Sequence, residues 1–347
     1  MATDGSLTPR AVFGVPLYNS AGTLPEAIES LLSQTEPRLA VVLVDDCSSD
    51  ATLELARRYA EHDERVVLRR NDRRLGLVGN WRHAFELAGE LFPEAPYFAW
   101  ASDHDVWHPR WLERVMAELE RSPDAVLGYA LAERIAAHGD ALNLHVRPAY
   151  DSRGIEDAAK RLRGAFHGVV AGDAVYGLAR VPALRAAGPF RHVVEPDRLL
   201  VRSLAVRGHL VQVPETLWFR RVTSEYSGRR QRASFFMGRP PLHGFLPPPL
   251  VHAALFTWDL AVRGAARPTV SRAGGVVLAA HYLRLGTAQQ FEPPPGKTLA
   301  KRRRRGRRWV EARRDRTRRA RRAAVKRVRR PARTVRRVAG RLAGRKP

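Results

Sequence analysis

The chain has 347 residues, 44% of them hydrophobic, which is enough for one large domain or two modest ones with a real core. Its formal net charge of +25 is concentrated at one end: residues 301–347 hold 24 Lys and Arg and 2 acids, and the other 300 residues carry only +3. Cys47 is the single cysteine, which excludes an intrachain disulfide and fits a reducing cytoplasm. With no signal peptide and no apolar run of roughly 20 residues, a cytoplasmic protein, soluble or peripheral on the membrane, is predicted.

The first 120 residues alternate apolar strands with amphipathic helices. Thr23 and Glu26 have the spacing of a capping box at the start of the first helix. Because the strands are continuous apolar runs, they predict an α/β fold whose mainly parallel sheet has helices on both faces. Strands are predicted at 11–17, 40–44, 66–68 and 97–101, and helices at 24–32, 52–60, 80–91 and 109–120.

The pattern is weaker in the second half of the chain. A strand is predicted at 174–178 and helices at 182–187 and 197–207. Proline clusters then mark a partly helical extension over 236–300. The Arg- and Ala-rich tail at 301–347 has no core-forming face and predicts either disorder or an interfacial helix broken by its proline.

Polar clusters follow three of the predicted strands. They read YNSAGT (18–23), DDCSSD (45–50) and SDHD (102–105). Open parallel sheets bind ligands at the carboxyl ends of their strands, so these clusters predict one site. The chain has no GxxxxGK[ST] loop, no GxGxxG after the first strand and no HExxH or paired CxxC, which disfavours P-loop NTPases, conventional dinucleotide enzymes and zinc sites.

Two pairs of aspartates are the candidate ligands within these clusters. Asp45 and Asp46 can accept hydrogen bonds from a nucleobase or ribose, or one of them can simply cap the next helix together with a nearby serine. Asp103 and Asp105 suit Mg²⁺ or Mn²⁺, hard cations that bridge protein carboxylates to substrate phosphates, although a solvated acidic loop is the plainer alternative. The tryptophans beside this loop, Trp100, Trp107 and Trp111, are expected to pack in the core.

Taken together, these stretches resemble the family 2 glycosyltransferases of the GT-A fold, which are inverting enzymes that use nucleotide-sugar donors. The resemblance spans roughly residues 10–225. It rests on VPLYN (15–19), VDDCSSD (44–50), GLVGNWRHAFELA (76–88), SDHD (102–105) before WHP, and EPD (195–197) leading to LAVRG.

The resemblance implies a role for each matching residue. Asp46 would bind the base of the nucleoside, and Asp103 and Asp105 would serve the metal ion and the diphosphate. Asn80 and Arg82 would lie near the phosphates or the sugar. The complete donor site is Pro16, Tyr18, Asn19, Asp45, Asp46, Asn80 and Arg82.

One departure from the family concerns the metal ligands. Many relatives have adjacent aspartates here, so that the ligating carboxylate aligns with His104. Either Asp103 or Asp105 takes over, or His104 binds the metal as a neutral imidazole, or metal binding is weakened. We favour the aspartates because hard cations prefer oxygen.

Transfer of a sugar to an acceptor hydroxyl also needs a base that takes the hydroxyl proton. Counting back from the Gly208 that ends LAVRG places Asp197 where the family carries its general base, with Glu195 as the reserve candidate. Either residue can instead cap the helix that begins there, a contribution of about 1 kcal/mol.

The sequence thus predicts a GT-A domain at 8–235, an extension at 236–300 and a basic tail at 301–347. The expected acceptor is a glycan, a cell-envelope polymer or a lipid-linked sugar. For the tail, an anionic membrane surface is ranked ahead of disorder without a partner, and nucleic acid last. The competing hypothesis is a non-catalytic protein on the same scaffold, whose basic tail binds membrane or nucleic acid.

Overall fold

The computed structural model describes residues 8–137, 139–142, 150–222, 236–237, 241–264, 266 and 270–291. The chain divides into two units, Met1–Gln289 and Gln290–Pro347. The predicted basic tail and the end of the predicted extension, 292–300, lie outside the described residues.

The N-terminal half confirms the predicted alternation of strands and helices. Its strands form where apolar, β-branched runs are buried, and α3 begins four residues earlier than its pattern indicates. A short strand, β5, was not predicted. The elements are β1 (Ala11–Leu17), α1 (Leu24–Leu32), β2 (Leu39–Asp45), α2 (Thr52–His62), β3 (Val66–Arg70), α3 (Gly76–Leu91), β4 (Tyr97–Trp100), β5 (Val106–Trp107) and α4 (Trp111–Arg121).

The second half differs more from its prediction. The strand predicted at 174–178 is wrong, because this stretch ends one helix and only its last residue begins a strand. Two long strands, β6 and β8, were not predicted. The elements are β6 (Ala125–Ile135), α5 (Ala158–His167), α6 (Ala171–Ala174), β7 (Leu178–Arg180), α7 (Val181–Ala187), α8 (Pro196–Arg207) and β8 (His209–Arg221).

The described strands form one eight-stranded sheet in the order β3-β2-β1-β4-β7-β6-β8-β5. The strands β3, β2, β1 and β4 are all parallel, β7 is antiparallel to both its neighbours, and β6 and β8 are parallel to each other. Leu17 lies opposite Asp45, and Gly14 lies opposite Trp100. The carboxyl ends of β1, β2 and β4 therefore meet at one edge, as the sequence predicted.

The core covers both faces of the sheet, and the three tryptophans beside the acidic loop belong to it. Trp100, Trp107 and Trp111 are buried, which confirms their predicted packing role. The predicted capping box is wrong: Thr23 makes no side-chain cap bond, and its hydroxyl donates to the carbonyls of Ser20 and Asp103 instead. Its partner Glu26 forms an ion pair with Arg221.

The described part of the extension is mainly helical and packs against α5 and α8. A 3₁₀ turn (Leu242–Phe245) leads into α9 (Pro248–Phe256), a π-helical segment (Thr257–Val262) and α10 (Arg272–Phe291). A Cβ on Gly275 would lie 2.7 Å from that of Leu260, and one on Gly286 would lie 2.8 Å from that of Pro249, so α10 runs antiparallel to α9 in close contact. Within the described ranges, none of the helices is long and apolar enough to cross a membrane.

Candidate functional site

A cavity of about 760 Å³ opens where β1, β2 and β4 end. Its wall includes six of the residues that the sequence singled out: Pro16, Tyr18, Asp46, Asn80, Asp103 and His104. The cavity wall also includes residues of the second half of the sheet and its connections that sequence reasoning missed, among them Arg134, Tyr176 and Arg220. The fold thus brings the N-terminal polar clusters to the same cavity as an arginine-containing wall from the second half of the sheet.

The loops after β1 and β2 are tied to each other by Asn19. This residue has a φ of 50°, in the left-handed region that asparagine tolerates better than most residues. Its side-chain Oδ1 accepts a hydrogen bond from the amide of Ser49 at 2.8 Å, and its own amide donates to Ser48 Oγ at 3.1 Å. Asn19 is thereby held beside the cavity as a link between two loops.

The two aspartates after β2 have different partners. Asp45 is fully buried and accepts a hydrogen bond from the amide of Ser48 within the loop. It does not cap the next helix, because the N-cap of α2 is Ala51 and no side chain makes a cap bond there. Asp46 reaches across to the start of α3, where its carboxylate accepts from the amides of Leu75 at 2.6 Å and Gly76 at 2.8 Å. Asp46 therefore organises the N-terminus of α3 while lining the cavity.

Of the two residues predicted on α3, Asn80 lines the cavity and Arg82 is paired elsewhere. Asn80 is buried and lines the cavity, with its Nδ2 donating to the carbonyl of Val44 at 2.9 Å and its Oδ1 accepting from Asn71 Nδ2 at 2.9 Å. Arg82 forms an exposed ion pair with Glu86 one turn along the helix, at 2.7 Å. The arginine at the cavity is instead Arg74, whose guanidinium lies 3.8 Å from the ring centroid of Tyr18.

The SDHD loop is held by bonds on every side. Asp103 accepts from the amide of Tyr18 at 3.3 Å and pairs with His104 Nδ1 at 2.7 Å. Asp105 is buried behind them, and its Oδ1 accepts from the amide of Arg221 at 2.7 Å. His104 Nε2 lies 3.9 Å from Asp105 Oδ1, so the imidazole stands between the two carboxylates and lessens their repulsion.

The pKa values in this loop reflect that arrangement. Burial alone would lower the pKa of His104, but its hydrogen bond to Asp103 and the charges of both aspartates outweigh burial and raise it. Burial raises the pKa of Asp105, with only partial compensation from His104 and its hydrogen bonds. The loop therefore carries less negative charge than two free aspartates would.

The donor set of this loop fits a divalent cation that is completed by substrate. Asp105 Oδ2 is buried without a hydrogen-bond partner, as expected of a carboxylate that still has a ligand to meet. Within the described ranges, no three His, Cys, Asp or Glu side chains converge as a full metal cluster. Mg²⁺ is commonly bound by one or two carboxylates plus substrate phosphates, which needs no such cluster.

Arg221, at the end of β8, holds the SDHD loop in place. It is 5% exposed, and its Nε donates to the carbonyl of His104 at 2.8 Å while its backbone amide holds Asp105. The remaining guanidinium nitrogens bind Glu26 on α1 and the carbonyl of Ala137. One side chain thus joins four segments under the candidate metal loop.

The wall from the second half of the sheet is organised by Asp173. Its carboxylate pairs with Arg134 on β6 and with Arg220 on β8, each at 2.6 Å. Arg220 also donates to the carbonyl of Gly172 at 2.9 Å. Sequence reasoning missed Arg134 and Arg220 because their strands were not predicted; the apolar run that opens β6, AVLGYALA, is the signal that was overlooked.

The two candidate bases lie at the start of α8. Asp197 Oδ2 is 3.4 Å from the position that a Cβ on Gly172 would occupy, and Arg220 Nη1 is 3.6 Å from the same point. Burial raises the pKa of Asp197, against the lowering effect of a backbone hydrogen bond and of Arg198. Glu195 has a φ of 57° and pairs with Arg198 at 3.0 Å. Asp197 is thus close to Gly172 and to Arg220, which lines the cavity.

Residues 13–165 match the family model described as Glycosyl transferase family 2. EpsE of Bacillus subtilis (strain 168), named as a glycosyltransferase, is 34% identical over 114 residues, which cover 33% of this chain and 39% of EpsE. TuaG of the same organism, named for teichuronic acid biosynthesis, is 29% identical over 147 residues, 42% of this chain and 55% of TuaG. The chain thus matches about half, or less, of the length of these relatives.

Two solved structures share the fold. S. aureus TarS (1–349) in complex with UDP-GlcNAc has a TM-score of 0.55 at 16% identity, covering 83% of this chain and 75% of TarS. GalNAc-T7 with UDP, GalNAc and Mn²⁺ has a TM-score of 0.50 at 16% identity, covering 80% of this chain and 55% of that protein. The fold predicted from the sequence, GT-A, is confirmed.

Proposed function

We propose that the chain transfers a sugar from a nucleoside-diphosphate donor to an acceptor hydroxyl with inversion, and the match of residues 13–165 to glycosyl transferase family 2 supports this proposal. The single observation that carries the proposal is the cavity at the carboxyl ends of β1, β2 and β4, which gathers the polar residues of three separate family motifs. The competing hypothesis, a non-catalytic protein on this scaffold, does not account for that convergence.

The donor nucleoside is assigned to the β1 and β2 side of the cavity. Pro16 and Tyr18 form its wall, and Arg74 stacked on Tyr18 offers a cation close to where a phosphate would lie. Asp46 accepts from the base or ribose, and Asn80 faces the phosphates or the sugar. Asn19 and Asp45 hold the two loops in place, while Arg82 contributes only if its ion pair with Glu86 opens.

The diphosphate is assigned to the SDHD loop with Mg²⁺ or Mn²⁺, which supplies positive charge to the leaving group. Asp103 and Asp105 are the proposed ligands, because oxygen suits these ions better than an imidazole. His104 keeps its place between the two carboxylates. GalNAc-T7, which shares the fold, was solved with UDP and Mn²⁺, and this supports the choice of ion.

The acceptor hydroxyl is assigned to the side of the cavity nearest Asp197. The hydroxyl oxygen forms a bond to the anomeric carbon as the bond from that carbon to the diphosphate oxygen breaks, and the nucleoside diphosphate leaves with the electron pair. Asp197 takes the hydroxyl proton, and its raised pKa makes it a stronger base than an ordinary aspartate. Glu195 is the reserve candidate, two residues upstream.

The acceptor class follows from the relatives and from the charge of the chain. TuaG is named for teichuronic acid biosynthesis, and we infer a glycan, cell-envelope or lipid-linked acceptor here. Residues 301–347, with their balance of +22, would bring the enzyme to an anionic membrane on its cytoplasmic face.

A donor panel tests the proposal. UDP-, GDP- and dTDP-sugars are incubated with the chain in Mn²⁺ and in EDTA, and release of the nucleoside diphosphate is measured. We expect one donor class to be bound and slowly hydrolysed in Mn²⁺ and not in EDTA. If no donor in the panel is bound or hydrolysed, the non-catalytic hypothesis replaces the proposed transferase.

A further inference from the structure

The extension exposes a stripe of apolar side chains along α9 and the π-helical segment. Leu250, Ala254, Trp258 and Val262 follow one another at four-residue intervals and are all exposed. The exposed fractions of Trp258 and Leu250 are 54% and 51%. Side chains four residues apart lie on one face of a helix, so the stripe is continuous along one side.

Helix α10 has exposed apolar residues of its own. Val276 and Val277 are exposed and directly follow Gly275, the residue at which α10 contacts Leu260 and Ala261. We call Leu250, Ala254, Trp258 and Val262, which share one side of α9 and the π-helical segment, the apolar face. Clustered exposed apolar side chains of this kind mark a binding surface, whereas single ones are common on any protein.

The charges around the apolar face have one sign. Between residues 241 and 290 the sequence has a single acid, Asp259, which is buried and paired with Arg191. The described basic residues of this stretch, Arg263, Arg272 and Arg284, are all exposed. The described residues of 241–290 thus expose arginines and no acid; Arg263 directly follows Val262 of the apolar face and also lies 3.6 Å from the buried Asp259.

We infer that the apolar face docks onto an anionic lipid bilayer, with its apolar side chains at the level of the head groups and its arginines on the lipid phosphates. Apolar residues that include Trp, bordered by Arg, are the composition of helices that lie in a membrane interface. A second copy of the chain is a poorer occupant, because two such cationic surfaces would repel each other. This inference goes beyond the proposed transfer reaction and concerns residues outside its cavity.

The test measures vesicle binding by the full chain without any donor, so its result is independent of transferase activity. Vesicles of phosphatidylcholine, with and without phosphatidylglycerol, are pelleted in low salt and in about 1 M salt, where the Debye length falls to about 3 Å and tail attraction is screened. The variants are Leu250→Gln with Trp258→Gln, and Trp258→Phe. Leu77→Gln on α3 is the matched control, an exposed apolar residue far from the extension in sequence.

We expect the anionic vesicles to bind best in low salt and a fraction of the binding to survive in high salt. In the double variant this salt-resistant binding should be about tenfold weaker than in the parent, because two inserted side chains become polar. The control Leu77→Gln should bind in high salt as the parent does. Trp258→Phe should still pellet but lose the vesicle-induced blue shift of tryptophan emission. Equal high-salt pelleting by the double variant and the parent, or none by either, overturns the inference. So does a dimer that the double variant dissociates while vesicle binding is unchanged, or Trp258 emission that is already blue-shifted without vesicles.

Discussion

The two halves of the sheet bring different charged groups to the cavity: the first half brings carboxylates as well as Arg74, and the second half brings arginines. Residues 8–121 contribute the carboxylates of Asp46 and Asp103, each one or a few residues after the strand that carries it. Residues 125–222 contribute Arg134 and Arg220, which Asp173 holds from 39 and 47 positions away in the chain. A donor diphosphate in the cavity would meet cations already fixed by the protein and carboxylates that need a cation.

The largest expected effect is the loss of transfer rate from a variant in the second half, Asp197→Asn. Asp197→Asn keeps the size of the side chain but cannot take a proton, so kcat should fall by about 100-fold or more. The Kd for the donor should be unchanged, because none of the proposed donor contacts is made by Asp197. Glu195→Gln, measured in parallel, is the matched control. If Glu195→Gln loses transfer with binding intact, the base lies two residues upstream; if both variants keep their rate, α8 does not supply it.

The next largest effect is a loss of metal-dependent donor binding from variants in the first half. Asp103→Ala or Asp105→Ala should weaken metal-dependent donor binding by about 10–100-fold, the usual scale for loss of a support to a metal site. His104→Ala should weaken it less. Calorimetry with Mn²⁺ and with EDTA measures the difference, and thermal unfolding checks that each variant is folded. A larger loss for His104→Ala would make the imidazole the ligand.

A smaller effect separates binding from structure at Asp46. Asp46→Ala should weaken donor affinity by about tenfold and lower the free energy of unfolding by about 1 to 3 kcal/mol, because the buried or half-buried amides of Gly76 and Leu75 lose their acceptor. Asp46→Asn keeps one acceptor oxygen and should be milder in both measurements. Lower stability with unchanged donor affinity would leave Asp46 only its role at α3.

The smallest effect is a pH dependence of Asp197. The base must be deprotonated, so kcat/KM should fall as the pH drops through a pKa that burial has raised above the ordinary value. A carboxyl whose folded pKa exceeds its unfolded pKa stabilises the fold at low pH and loses that contribution as the pH rises. Asp197→Asn should therefore unfold at an equal or higher temperature than the parent at neutral pH, with the difference narrowing toward pH 4. A variant that melts lower at neutral pH would give Asp197 a structural role.

The contrast between the halves also explains what the sequence could predict. The strand ends at 17, 45 and 100 follow from apolar runs and turns, and parallel pairing then places Tyr18, Asp46 and Asp103 together. The wall of Arg134 and Arg220 depends on β6 and β8, which pair over more than 80 residues and contain charged positions that hide their strand pattern. The capping box failed for a similar reason, since Thr23 and Glu26 have tertiary partners that spacing alone cannot reveal.

Arg221 has a consequence for engineering. Its guanidinium and amide hold His104, Asp105, Glu26 and the turn at Ala137 at once. A transplant of the SDHD loop into another scaffold would therefore lose its shape unless an arginine at the end of the eighth strand and a carboxylate on the first helix travelled with it. The unit that can be exchanged between enzymes is this four-part assembly, although Glu26 and Arg221 at its two ends are 195 positions apart in the chain.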